Sequence, residues 1–167
     1  MPEDKTDTTV EVAFNWPDLL DGETPIEDAS QILWRQVHPN HVSPAGVIDG
    51  VAFEEIVTLE AINGTEDARD EVSMTQGTLI SAEEAYVNWT GLGKTSAGSY
   101  GVTVEEVVNA KARAVDDSRL QDGEEAIPGH AYIDLRGFPN KPKTHKRRAK
   151  SILAAAATYR RRQFPKD

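Results

Sequence analysis

The sequence predicts an α+β domain, a small, mostly antiparallel sheet with two or three packed helices and a basic amphipathic helix at the C-terminal end. Three observations predict it. Short runs of strand formers, bounded by Gly or Pro, come before and between the helical stretches. Ser81-Ala82-Glu83-Glu84 and Thr103-Val104-Glu105-Glu106 read as capping boxes, in which a hydroxyl and a carboxylate satisfy the first free amides of a helix. From Ala149 to Tyr159, apolar residues recur every three or four positions against a basic background.

Each element follows in order. Val10, Val12, Phe14 and Trp16 alternate with more polar residues and suit one short edge strand. Ile32 to His38 is rich in strand formers and stops at Pro39. Val47 to Thr58 suits one or two short strands, residues 61–71 a loop around Asn63-Gly64, and Val72 to Ile80 a strand interrupted at Gly77. After Ser81, residues Ala82, Ala85, Tyr86 and Trp89 share one helix face, which Gly91 and Gly93 end. Tyr100 to Val104 reads as a strand running into a helix with Val104, Val107, Val108 and Val115 inward. His130 to Leu135 alternates as a last strand. In the C-terminal helix Ala149, Ile152, Leu153, Ala156 and Tyr159 form the apolar stripe.

The chain has 167 residues, one domain's worth, with no cysteine. That excludes disulfides, thiolate metal sites, iron–sulfur clusters and a cysteine nucleophile. The longest apolar run, near 152–157, is far shorter than the ~20 residues of a membrane span. The polar, acidic N-terminus does not read as a secretory signal, so a cytoplasmic protein is expected. Charge divides the chain. Residues 141–167 hold ten basic residues and one acid, a net of +9, and the rest holds eight basic and 27 acidic residues, a net of −19. Three regions follow: an acidic N-terminal arm (1–29), a globular body (30–138), and a linker with the basic helix (139–167).

His38 and His41 have the H-x-x-H spacing, but Pro39 argues against a shared helix face, so no metal is expected. Gly91-Leu92-Gly93-Lys94-Thr95 lacks the glycine that a phosphate loop needs at position 88, which is Asn88. Acid–base chemistry would fall to His38 with Glu54, Glu55 or Asp134, or to His130 with Asp134. The order His38, Tyr86, then Glu124 or Glu125 resembles that of ADP-ribosyltransferase-like folds, which implies a transferase acting on a dinucleotide.

The runs Leu33-Trp34-Arg35-Gln36-Val37-His38-Pro39, Leu79-Ile80-Ser81-Ala82-Glu83 and Gly101-Val102-Thr103-Val104-Glu105 resemble a group of small bacterial proteins over about residues 31–135. That resemblance implies a bacterial cytosolic origin and no particular chemistry.

The expected function is that of an accessory or regulatory protein working by protein–protein contact. Its acids Glu66, Asp67, Asp70, Glu71, Asp116 and Asp117 would face a basic partner, such as a toxin or a nucleic-acid enzyme. Lys146, Arg147, Arg148, Arg160, Arg161 and Arg162 would hold acidic protein surface, the chain's own body first, or else nucleic acid. No cofactor is expected. A hydrolase or transferase built on His38, His130, Asp134 and Tyr86 is the alternative.

Overall fold

Strand-forming runs pair here into one antiparallel sheet with helices on both faces. The computed structural model describes residues 16–54, 56–58, 69–121, 123, 126–137 and 142–167. The strands are β1 (Thr24–Pro25), β2 (Ile32–Val37), β3 (Ile56–Thr58), β4 (Arg69–Gln76), β5 (Gly98–Thr103), β6 (Arg113–Asp116) and β7 (His130–Asp134). The helices are α1 (Ala82–Gly91), α2 (Val104–Asn109) and α3 (Pro142–Arg160), with single 3-10 turns at Pro39–His41, Gly50–Phe53 and Ser118–Leu120. Strand order is β1-β6-β7-β4-β2-β5, and β3 also pairs with β4. The α+β class is the one the sequence predicts.

Alternation along the strands makes one face apolar and the other polar. Leu33 and Val37 of β2, Val72 and Met74 of β4, Val102 of β5 and Ile133 of β7 build the apolar face. Phe53, Val104 and Val107 cover it, together with Ala149, Leu153 and Ala157 of α3. Each large side chain fully buried there contributes about 1.5–3 kcal/mol. The basic helix packs on the chain's own body and is part of the main core. Four of the five expected stripe residues face the core: Ala149 and Leu153 are buried, Ile152 and Ala156 pack against it, and Ala157 joins them. Tyr159 is instead 91% exposed, because it lies about 120° round the helix from Leu153.

Two further expectations are corrected. The valine pattern read as one helix from 104 to 115 divides at Asn109. Lys111 takes a left-handed backbone (φ 64°), and Arg113–Asp116 become β6. Val108 is left 56% exposed and Val115 is buried in the sheet. In the N-terminal region, Thr24 and Pro25 pair with Asp116 and Val115, so this part of the expected arm is sheet. The expected strand at 10–16 lies outside the described residues except for Trp16, whose ring lies 4.9 Å from the Arg113 guanidinium.

Both helix caps form where expected, the one at Thr103 as a full capping box and the one at Ser81 through its hydroxyl alone. Ser81 Oγ accepts from the Glu84 amide at 3.1 Å, and Thr103 and Glu106 satisfy each other's amides. α1 lies on the polar face, where Trp34 Nε1 donates to Ile80 O and Ser99 Oγ to Ala82 O.

β4 has two neighbours on one side, β2 at Thr75–Gln76 and β3 at Arg69–Glu71. Between them its carbonyls lack a strand partner on that side among the described residues. Arg35 fills the gap, its Nη1 donating to Ser73 O and its Nε to Ala52 O, both at 2.8 Å.

Candidate active site

Ser73 lies on β4 and His130 begins β7. Asp117 sits one residue past β6. Register brings them together. Tyr132 stands opposite both Ser73 and Val115, and His130 stands opposite Thr75. Stepping two residues along each strand keeps the face, so Ser73, His130 and Asp117 all project from the polar face of three adjacent strands.

They form one hydrogen-bonded line. Asp117 Oδ1 is 2.5 Å from His130 Nδ1, and His130 Nε2 is 2.7 Å from Ser73 Oγ. An ionised carboxylate only accepts, so Nδ1 carries the imidazole proton and Nε2 is left to accept from the Ser73 hydroxyl. His130 is 8% exposed and Asp117 6%. Asp117 precedes the 3-10 turn at Ser118–Leu120 but makes no side-chain cap to it, so its carboxylate is turned to the imidazole. Gln121 Nε2 stands 3.5 Å from its other oxygen. A serine, a base and an orienting acid within hydrogen-bond reach are what an activated hydroxyl nucleophile requires.

The serine end is the accessible one. Ser73 is half-buried and lines a cleft of about 220 Å³ with Trp34, Gln36, Thr75, Trp89 and Ile127. The free space is narrow, close to what one water needs. Arg35 also borders it. Burial pulls the Arg35 guanidinium down to about 10, against the opposing pull of Glu54, and it stays cationic at neutral pH.

The acid expected to serve His130 serves something else. Asp134, fully buried, accepts from Arg113 Nε at 2.9 Å and from Arg136 Nε at 2.9 Å and Nη2 at 3.2 Å. Two arginines offset the cost of burying that carboxylate. Burial works against the Arg136 charge, but Asp134 outweighs it and raises the guanidinium above its usual value. Burial, with the nearby acids Glu23, Glu71 and Asp134, pushes the Tyr132 phenol upward.

His38 does not join His130. Both Trp34 and His130 stand opposite Thr75, and β2 and β7 run the same way. His38, four residues beyond Trp34, is therefore roughly 13 Å further along and two strands across. Its Nδ1 accepts from the Asn40 amide, and its ring packs on His41 at 5.7 Å. No group of three or more metal-ligating side chains is found among the described residues. Tyr86 packs edge-on against Phe164. Glu54 is exposed, whereas Glu55, Glu124 and Glu125 lie outside the described residues. Lys94 stacks on Trp89 at 4.3 Å, which occupies the glycine-rich turn after α1.

Of the acids expected to face a partner, Glu66 and Asp67 lie outside the described residues, and Asp70 is a β4 position opposite Val57. Asp117 is buried and Asp116 half-buried, accepting from the Ser118 amide at 2.9 Å. Glu71 is half-buried on the polar face beside Tyr132. These acids follow strand alternation, which a charge count does not register. Of the basic set, Arg147, Arg148 and Arg161 are exposed and Lys146 is half-buried. Arg160 binds Glu106 at 2.6 Å and Gly101 O at 2.9 Å, and Arg162 pairs with the Asp167 side chain.

Ser73 is the residue that sequence reasoning missed. No G-x-S-x-G elbow surrounds it. Comparison with family models, curated proteins and solved structures returns no match. No helix among the described residues is long and apolar enough to cross a membrane.

Proposed function

We propose that this chain is a hydrolase of small acyl esters or thioesters, acting in the cytoplasm, with Ser73 as nucleophile, His130 as general base and Asp117 as its orienting acid. The unbroken Ser73–His130–Asp117 line, open to solvent only at its serine end, carries the reading. Ser73 Oγ bonds to the carbonyl carbon while its proton passes to His130 Nε2. The leaving alcohol or thiol takes that proton and departs. Water then attacks the acyl-serine, giving its proton to His130, and the acid and the free serine are released. Arg35, on the strand face of Leu33 and Val37, donates to the Ser73 carbonyl and so holds the backbone of the nucleophile in place. Trp34, Trp89 and Ile127 line the narrow cleft at the serine and would have to give way even to a short acyl group, which favours the smallest acyl substrates. A fluorophosphonate probe and an acetyl ester series test it. Labelling of Ser73 and turnover, both lost in Ser73→Ala and His130→Ala, are expected. A folded protein that neither labels nor turns over any short ester would refute the reading.

A second reading keeps the protein-contact role. An apolar groove lined by Ile26, Ala29, Val104 and Val108 is bordered by Glu27 and Glu105. Its acids favour a basic partner segment, and Val108 is exposed for an apolar anchor. A one-to-one complex purified from the host that survives Glu83→Lys but is lost in Val108→Asp supports it. Equal retention by both variants would end it.

A further inference from the structure

A larger cleft opens on the opposite, apolar face of the sheet, at the end of α3. Tyr100 forms its floor, the Val42–Gly46 loop one wall, and Arg161 and Arg162 its rim. Its volume of about 1070 Å³, open side included, is of the size that small organic ligands occupy.

Three observations single it out. Tyr100 is 4% exposed as a whole residue, and its hydroxyl, which makes no hydrogen bond among the described residues, opens on the cleft. Arg161 adopts a left-handed backbone (φ 70°) where α3 ends, a place where glycine is usual and a side chain is strained. Its guanidinium is exposed and makes no contact among the described residues. Finally, the Asp167 carboxylate reaches back to Arg162. Arg162 is steadied by donating to Ala97 O at 3.3 Å. Asp167, its side chain 99% exposed, shows that an oxyanion can meet Arg162 at the rim. Burial raises the Tyr100 phenol, while Arg162 lowers it and Asp167 raises it.

We propose that this cleft binds a small organic molecule through a phosphate or carboxylate group, with Arg161, Arg162 and Tyr100 as its donors and Asp167 as the resident competitor. Guanidinium pairs suit both oxyanions, because their paired donors match two oxygens at once. Val42, Pro44 and Ala97 would receive the ligand's apolar portion. This site is independent of Ser73.

Isothermal titration of the full chain with inorganic phosphate, and separately with malonate, at constant ionic strength tests it. Asp167→Asn should tighten binding several-fold by removing the competitor. Arg162→Ala should weaken it by about 10- to 100-fold, the range of a lost charge-assisted bond. Tyr100→Phe, which keeps the buried ring, should weaken it about 3- to 10-fold. Arg161→Ala, at an exposed position, provides a variant whose folding is not at risk. Saturation by phosphate alone assigns a phosphate ester, and by malonate alone a carboxylic acid. Absence of saturable binding in both the native chain and Asp167→Asn would overturn the proposal. So would binding indifferent to Arg161→Ala, Arg162→Ala and Tyr100→Phe, which would mark an adventitious ion only.

Discussion

Asp117 meets His130 at 2.5 Å, reaching it from beyond the end of the neighbouring strand and not from within the same one. The contact fixes which imidazole nitrogen is free for Ser73. Replacing Asp117 by Asn keeps the shape but offers an amide donor to Nδ1. The proton then moves to Nε2, and the serine loses its acceptor. Ester turnover should fall by about 10²- to 10⁴-fold in Asp117→Asn while the circular-dichroism spectrum is retained. Turnover within a few-fold of the native chain would remove Asp117 from the mechanism.

Arg35 should tolerate neither loss nor apparent conservation. Arg35→Met leaves the Ser73 and Ala52 carbonyls without donors at the split in the sheet. The expected loss is about 2–4 kcal/mol, read from the urea midpoint. Lysine has no planar fork and can serve one carbonyl well, so Arg35→Lys should fall between. Equal stability of all three proteins would show that water replaces the guanidinium without cost.

Gly101 is small for a packing reason. A Cβ at this position would stand 2.9 Å from the Trp34 ring and 3.0 Å from Ile32. Gly101→Ala should therefore destabilise the fold by about 1–3 kcal/mol despite alanine's lower backbone entropy cost. A double variant with Trp34→Phe should recover part of that loss, and thermal melts of the three proteins test both statements.

The sequence disclosed elements with local signals and hid those made by register. Ser81 and Thr103 announce α1 and α2 because a capping hydroxyl acts within four residues. β6 was concealed, since Val104, Val107, Val108 and Val115 fit a helical period equally well. The break at Lys111 carries neither Gly nor Pro, the residues that ordinarily mark such a turn. At the candidate site His130 was visible, but its partners were not. Ser73 is 57 residues away and Asp117 is 13, and only the pairing of β4, β7 and β6 makes them neighbours. Asp134 looked like the partner because it shares a strand face with His130, two alternations along. The charge asymmetry pointed to a basic segment settling on the body. It did not reveal that Arg160 and Arg162 would bond to particular acceptors.

Glu106 links α2 to α3 and should give stability a measurable acid limb. Burial favours its neutral form, but hydrogen bonds from Arg160 and the Thr103 amide outweigh this and hold the carboxyl below its ordinary value. A carboxylate depressed in the folded state stabilises above its unfolded pKa, and that contribution is lost as pH falls through the folded value. Stability should therefore decline below about pH 4.5. Glu106→Gln should be less stable at neutral pH and lose that part of the decline. Parallel slopes for both proteins from pH 6 to pH 3 would place the acid sensitivity elsewhere.

β5 ends the strand order, yet its outer rim is not bare. Gln163 donates its amide to Ser99 O at 2.9 Å, and Ser99 donates to Phe164 O at 2.8 Å. The few residues after α3 thus act as a selvedge, occupying the donors and acceptors that a stranger's strand would otherwise find. Trimmed back to Arg160, the domain would keep its core but offer a template for edge-to-edge self-association.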